Sequence, residues 1–83
     1  MQKEEIIHRI SKIVDDCLGD NISMDKKIFS KSEMDSLDIL IIIAEIEREF
    51  GIEIPDSLIE EIATEELSIE GLADKLMSKY ELA

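Results

Sequence analysis

Aromatic side chains are nearly absent from this chain: they make up 4% of its residues, and there is no tryptophan. That leaves too few ring faces to stack bases or to cage a ligand. Basic residues are scarce as well, nine Lys and Arg against twenty-one Asp and Glu, for a formal net charge of -12. Nucleic acid is therefore disfavoured twice, because phosphates bind through Lys and Arg that displace counterions. The sign of the charge points to basic partners. Cys17 is the single cysteine, which excludes an intramolecular disulfide and a cysteine-based zinc site and makes a reduced, cytoplasmic setting the expectation. His8 is the single histidine, and its place on the polar flank of a helical pattern offers no catalytic triad. Three scattered glycines build no phosphate-binding loop. The longest unbroken apolar run, Ile39 to Ala44, is too short to span a bilayer, and Met1 to Glu5 lead into an amphipathic pattern rather than a signal peptide. No membrane insertion is expected.

What is present is a small, isoleucine-rich, acidic chain. Its 83 residues suit one domain, 1–83, with a core able to fold alone but no room for an elaborate catalytic apparatus. Isoleucine occurs sixteen times. Because β-branched residues are mediocre helix formers, the helices they build must lean on tertiary packing. The charge is unevenly spread: residues 1–32 hold six acids and six bases, whereas residues 33–66 hold twelve acids and one base. An acidic stretch of this kind is either a solvated face or a field that steers partners with basic patches.

Apolar spacing at Ile6, Ile10, Ile13, Val14 and Cys17 predicts a first helix over Lys3 to Leu18, ended by Gly19. A long polar loop follows to Met34, pinned by Ile22, Ile28 and Phe29. Asp15, Asp16, Asp20 and Asn21 cluster near its start, but the ligand register and turn glycine of a calcium loop are missing. Asp35 is the expected N-cap of a second helix, Ser36 to Phe50, packed through Ile39, Ile42, Ile43, Ile46 and Phe50 with the acids on its opposite face. Asp56 or Ser57 is expected to cap a short third helix through Leu58, Ile59 and Ile62. Ser68 is expected to cap a fourth carrying Ile69, Leu72, Ala73, Leu76 and Tyr80. No strand pattern of useful length appears, so the predicted class is all-α: three longer helices and one short one.

Asp35-Ser36-Leu37 lies where the irregular stretch turns into an apolar helix. Taken alone it is ordinary capping chemistry. If Asp35 caps, however, the Ser36 hydroxyl is left over at the positive end of the helix dipole, where a phosphodiester is electrostatically tolerated.

The ordered run from Asp35 to Asp56 includes Asp-Ser-Leu, the Glu-rich helix ending in Glu49-Phe50 and the connector Ile52-Glu53-Ile54-Pro55-Asp56. It closely resembles the acyl carrier protein family. The resemblance implies a four-helix bundle and a covalent 4'-phosphopantetheine, taken from coenzyme A, on Ser36. Asp35, Leu37 and Asp38 would flank the attachment point, and a phosphopantetheinyl transferase would do the loading. Acyl-loading, elongating and acyl-transfer enzymes with basic patches would then meet Ile41, Glu45, Glu47, Glu49, Glu53 and Asp56 of a non-catalytic monomeric carrier. It also implies that Ile39, Ile43, Ile46, Ile54, Ile59 and Ile62 line an acyl cavity, with a fully packed core as the alternative. Three departures stand out: Glu33-Met34 replaces the glycine approach to Asp35, Ile41 stands where an acid is common, and Ala44 where a larger residue is. They leave open fatty-acid synthesis against a specialised lipid or polyketide pathway. A discrete aminoacyl, peptidyl or D-alanyl carrier, and an unmodified acidic helical adaptor, are the alternatives in function.

Overall fold

A computed structural model describes residues 2–19, 23, 25–30 and 32–82. The elements run α1 (Lys3–Leu18), β1 (Lys27–Phe29), α2 (Ser36–Phe50), α3 (Asp56–Glu65), β2 (Leu67–Ser68) and α4 (Ile69–Lys79). α1 and α2 have the expected bounds, and both end where glycine takes the left-handed conformation, Gly19 at φ 73° and Gly51 at φ 65°. Ser68 caps α4 as expected, its Oγ accepting from the Gly71 N–H at 3.0 Å.

α1 lies in the middle and packs chiefly on α2 and α4, while α3 is held more lightly. Ile6, Ile10 and Val14 of α1 meet Ile42 and Ile46 of α2 and Leu72 and Leu76 of α4 in one buried cluster. Among the described residues, three ion-pair sets join the helices. Arg9 reaches Glu49 at 2.9 Å across α1 and α2, Lys3 reaches Asp74 at 3.0 Å across α1 and α4, and Lys75 reaches Glu61 and Glu65 at 3.2 and 2.8 Å across α4 and α3.

Several sequence expectations need correcting. The long loop contains β1, which pairs antiparallel with β2, Lys27 opposite Ser68 and Phe29 opposite Leu67, with an irregularity between. Such short strands, about forty residues apart, carry no local period. Ile28 and Phe29 are buried and pin this segment to the core as expected, whereas Ile22, Asp20 and Asn21 lie outside the described residues. Pro55, not Asp56 or Ser57, is the N-cap of α3: it makes no side-chain cap bond, and its carbonyl accepts from Leu58 and Ile59 N–H at 3.0 and 3.1 Å. Its fixed φ sets the helix entry, and Asp56 sits in the first turn, where its charge suits the dipole. Cys17 is exposed although the spacing put it on the apolar face, and Ile7 is buried instead. Tyr80 follows α4 and donates its hydroxyl to the Glu53 carbonyl, tying the α2–α3 connector to the last helix.

Candidate functional site

Ser30 starts the turn that builds the site. Its carbonyl accepts from the Glu33 and Met34 N–H groups at 3.2 and 2.9 Å, and Met34 is 4% exposed. Where a glycine would loosen the approach to Asp35, a buried methionine anchors it. Asp35 then caps α2, its carboxylate accepting from the Leu37 N–H at 3.4 Å. Ser36 is the first helical residue and is exposed, and its hydroxyl makes no hydrogen bond to a described residue. It faces solvent at the positive end of a fifteen-residue helix, with Asp38 half-buried beside it.

A groove of about 380 Å³ opens at Ser36. Ile39 and Leu40 of α2 form one wall and Ile59 and Ala63 of α3 the other, with Asp56 and Glu60 at the α3 rim. Of the six isoleucines expected to line a cavity, only Ile39 and Ile59 do so. Ile43, Ile46, Ile54 and Ile62 are buried in the packed core and do not line the groove.

The expected partner-facing residues do not form one uniform surface. Ile41 is 45% exposed, and Leu37 and Leu40 beside it are 63% and 50% exposed. The outer face of α2 is thus apolar in its first half, and the acids expected on it lie mainly in the second. Glu45 pairs with Arg48 at 3.5 Å and Glu49 with Arg9 at 2.9 Å. Glu47 turns inward, its carboxylate accepting from the Ile54 N–H at 2.8 Å. Glu53 and Asp56 are exposed. Leu37 and Leu40 were legible in principle, because residues 37, 40, 41 and 44 follow a second helical stripe beside the core stripe. Leu40, Glu60 and Ala63 were missed as groove residues, since their meeting depends on how α3 approaches α2.

His8 is exposed on α1 and does not line the groove at Ser36. Partial burial, and then the carboxylates of Glu45, Asp16 and Asp38, push the Cys17 thiol up from its ordinary range. Among the described residues no group of three or more His, Cys, Asp or Glu is placed to hold a metal ion, and no helix is long and apolar enough to cross a membrane.

The family model described as phosphopantetheine attachment site matches residues 6–74. The acyl carrier protein of Rubrobacter xylanophilus is 37% identical over 73 residues, covering 84% of this chain and 90% of that protein. Those of Petrotoga mobilis and Picosynechococcus are 30% and 33% identical, covering 92% and 87% of this chain and 93% of each relative. No solved structure matches.

Proposed function

The chain belongs to the acyl carrier protein family, and we propose that it carries acyl groups as thioesters on a prosthetic arm joined to Ser36. The family's prosthetic group is covalent 4'-phosphopantetheine, which supplies a thiol on a flexible tether. The residues at the head of α2 fit it. The observation that carries the reading is a division of labour: Asp35 caps the helix, so the neighbouring Ser36 hydroxyl stays exposed and unengaged. A phosphodiester there would lie against the free N–H groups of the first helical turn, which favour negative charge.

In the loading step Ser36 Oγ forms a bond to the pantetheine phosphorus of coenzyme A. The pyrophosphate P–O bond breaks, the adenosine bisphosphate leaves, and the serine proton passes to a base of the phosphopantetheinyl transferase. The chain is the substrate of that step and supplies no catalytic group. Exposed Glu53 and Asp56 and the excess of acids in residues 33–66 steer partners that carry basic patches. Leu37, Leu40 and Ile41 give those partners an apolar contact to close on. The pathway is fatty-acid or specialised lipid or polyketide synthesis, and the net charge of -12 favours a monomer.

Incubating the chain with acetyl-coenzyme A and a broad-specificity transferase tests the carrier role. The expected product has the mass of one acetylated arm, and neutral hydroxylamine then strips the acetyl group and leaves the arm. An added mass that resists hydroxylamine would contradict a thioester carrier.

A further inference from the structure

Residues 37, 41, 44 and 48 form the outermost stripe of α2, opposite the buried Ile42 and Ile46. All of them are exposed and none is an acid: Leu37, Ile41 and Ala44 run along the helix to Arg48, whose side chain is 81% exposed. Arg48 is also the one base in residues 33–66, which hold twelve acids. The stripe therefore starts beside Ser36 as an apolar ridge and ends in a cation, roughly 16 Å along at about 1.5 Å per residue.

The acids of α2 do not cover this ridge. Glu47 is turned to the Ile54 N–H, Glu49 is paired with Arg9 at 2.9 Å, and Asp38 and Glu45 are half-buried at the helix flank. Glu45 reaches Arg48 at 3.5 Å, but a pair this long at a solvated surface is worth little and leaves the guanidinium open to a stronger partner. Exposed acids lie instead on the connector and α3, at Glu53, Asp56 and Glu60. The surface around Ser36 thus presents charge of both signs, separated by an apolar ridge.

A partner whose basic patch ran the whole length of α2 would set like charge against Arg48, and such a juxtaposition is costly in an interface. Resting on the carrier reading above, we infer that Arg48 selects the acyl-loading enzyme. The enzyme that charges this chain meets Leu37 and Ile41 with an apolar socket, Asp56 and Glu60 with bases, and Arg48 with a carboxylate placed about 10 Å beyond Ile41, two helical turns further on. A guanidinium and a carboxylate make two parallel hydrogen bonds, which fixes the angle at which the enzyme lies along α2 and the side from which it faces Ser36. The same residue rejects an enzyme with a uniformly basic docking face. Selection matters most at loading, because the acyl group placed on the arm there is the one that every later enzyme receives.

The test takes chain carrying the arm, confirmed by mass, and charges it with purified acyl-loading enzymes of the same organism. For the enzyme most active on the wild type, Arg48→Glu should raise KM about ten-fold with kcat unchanged, while Arg48→Lys, which keeps the charge, should stay within about three-fold. Arg48→Gln, expected to raise KM about three-fold, keeps the test open if a new negative charge in the last helical turn unfolds the Glu variant. Reversing the facing carboxylate of the enzyme should restore Arg48→Glu and harm the wild type, and added salt should shrink every difference. If Arg48→Glu stays within about two-fold of the wild-type KM, or falls below it, with every enzyme that charges the chain, the inference is overturned and the carrier reading stands. A wild-type dimer in sedimentation that Arg48→Glu dissolves would put a second copy on the stripe and overturn it too. A chain that gains no arm overturns the carrier reading, and this inference with it.

Discussion

Replacing Glu47 with alanine removes the carboxylate that accepts the Ile54 N–H at 2.8 Å, in a place where Ile54 is 5% exposed. A backbone donor left without a partner there costs about 1–3 kcal/mol, and alanine's better helix propensity returns only a few tenths. For a domain of this size about 1 kcal/mol moves the melting temperature by roughly 4–8 °C, so a drop of roughly 8–16 °C is expected for a cost of about 2 kcal/mol. Removing one acid also relieves repulsion in a chain of net charge -12. Glu53→Ala controls for that, since its side chain is exposed and its backbone carbonyl still accepts from Tyr80. Glu47→Gln keeps an acceptor oxygen and should fall between the two. The assay is thermal unfolding by circular dichroism at neutral pH and fixed salt. If Glu47→Ala melted within about 2 °C of Glu53→Ala, well below that range, the connector would not depend on this bond. The bond matters to the site because the connector carries Pro55 and Asp56 to the mouth of the groove.

Three further outcomes are expected. Ser68→Ala removes a well-formed cap and should cost about 1 kcal/mol, or roughly 4–8 °C; no change in melting would mean that the 3.0 Å bond to Gly71 contributes nothing. Cys17 of the unloaded chain should alkylate more slowly at pH 8 than an unstructured cysteine peptide, because a raised thiol pKa leaves less thiolate. Glu45→Gln should speed that reaction, and a wild-type rate equal to the peptide's would contradict the electrostatic account. Ile41→Glu should leave the melting temperature within a few degrees, given 45% exposure, while slowing transfer with a cognate enzyme about ten-fold, the worth of one interface anchor. Unchanged rates with every cognate enzyme would remove Ile41 from the docking surface.

The elements legible in the sequence are those whose ends carry their own chemistry. Gly19 and Gly51 stop helices by taking positive φ, and Asp35 and Ser68 start them by accepting from the first turn. Each signal lies within a few residues of what it controls. The β1–β2 pair was not legible, because Phe29 and Leu67 lie far apart in the chain and each strand is too short to carry a period of its own. The site divides in the same way. Ser36, Asp35 and Ile39 stand together by local geometry. Ile59 lines the groove with Glu60 and Ala63, and all three reach it only through the approach of α3 to α2. Cys17 went the other way, since a residue at the margin of an apolar stripe is exposed or buried according to the neighbour's crossing angle.

The central claim is that the arm sits on Ser36. Its most direct test is the intact mass of the wild-type chain and of Ser36→Ala after incubation with coenzyme A and an active transferase, with the modified peptide located by fragmentation. The account predicts a gain of one phosphopantetheine in the wild type, placed on Ser36, and none in the variant. A gain that persists in Ser36→Ala, or that maps to another serine, would contradict it.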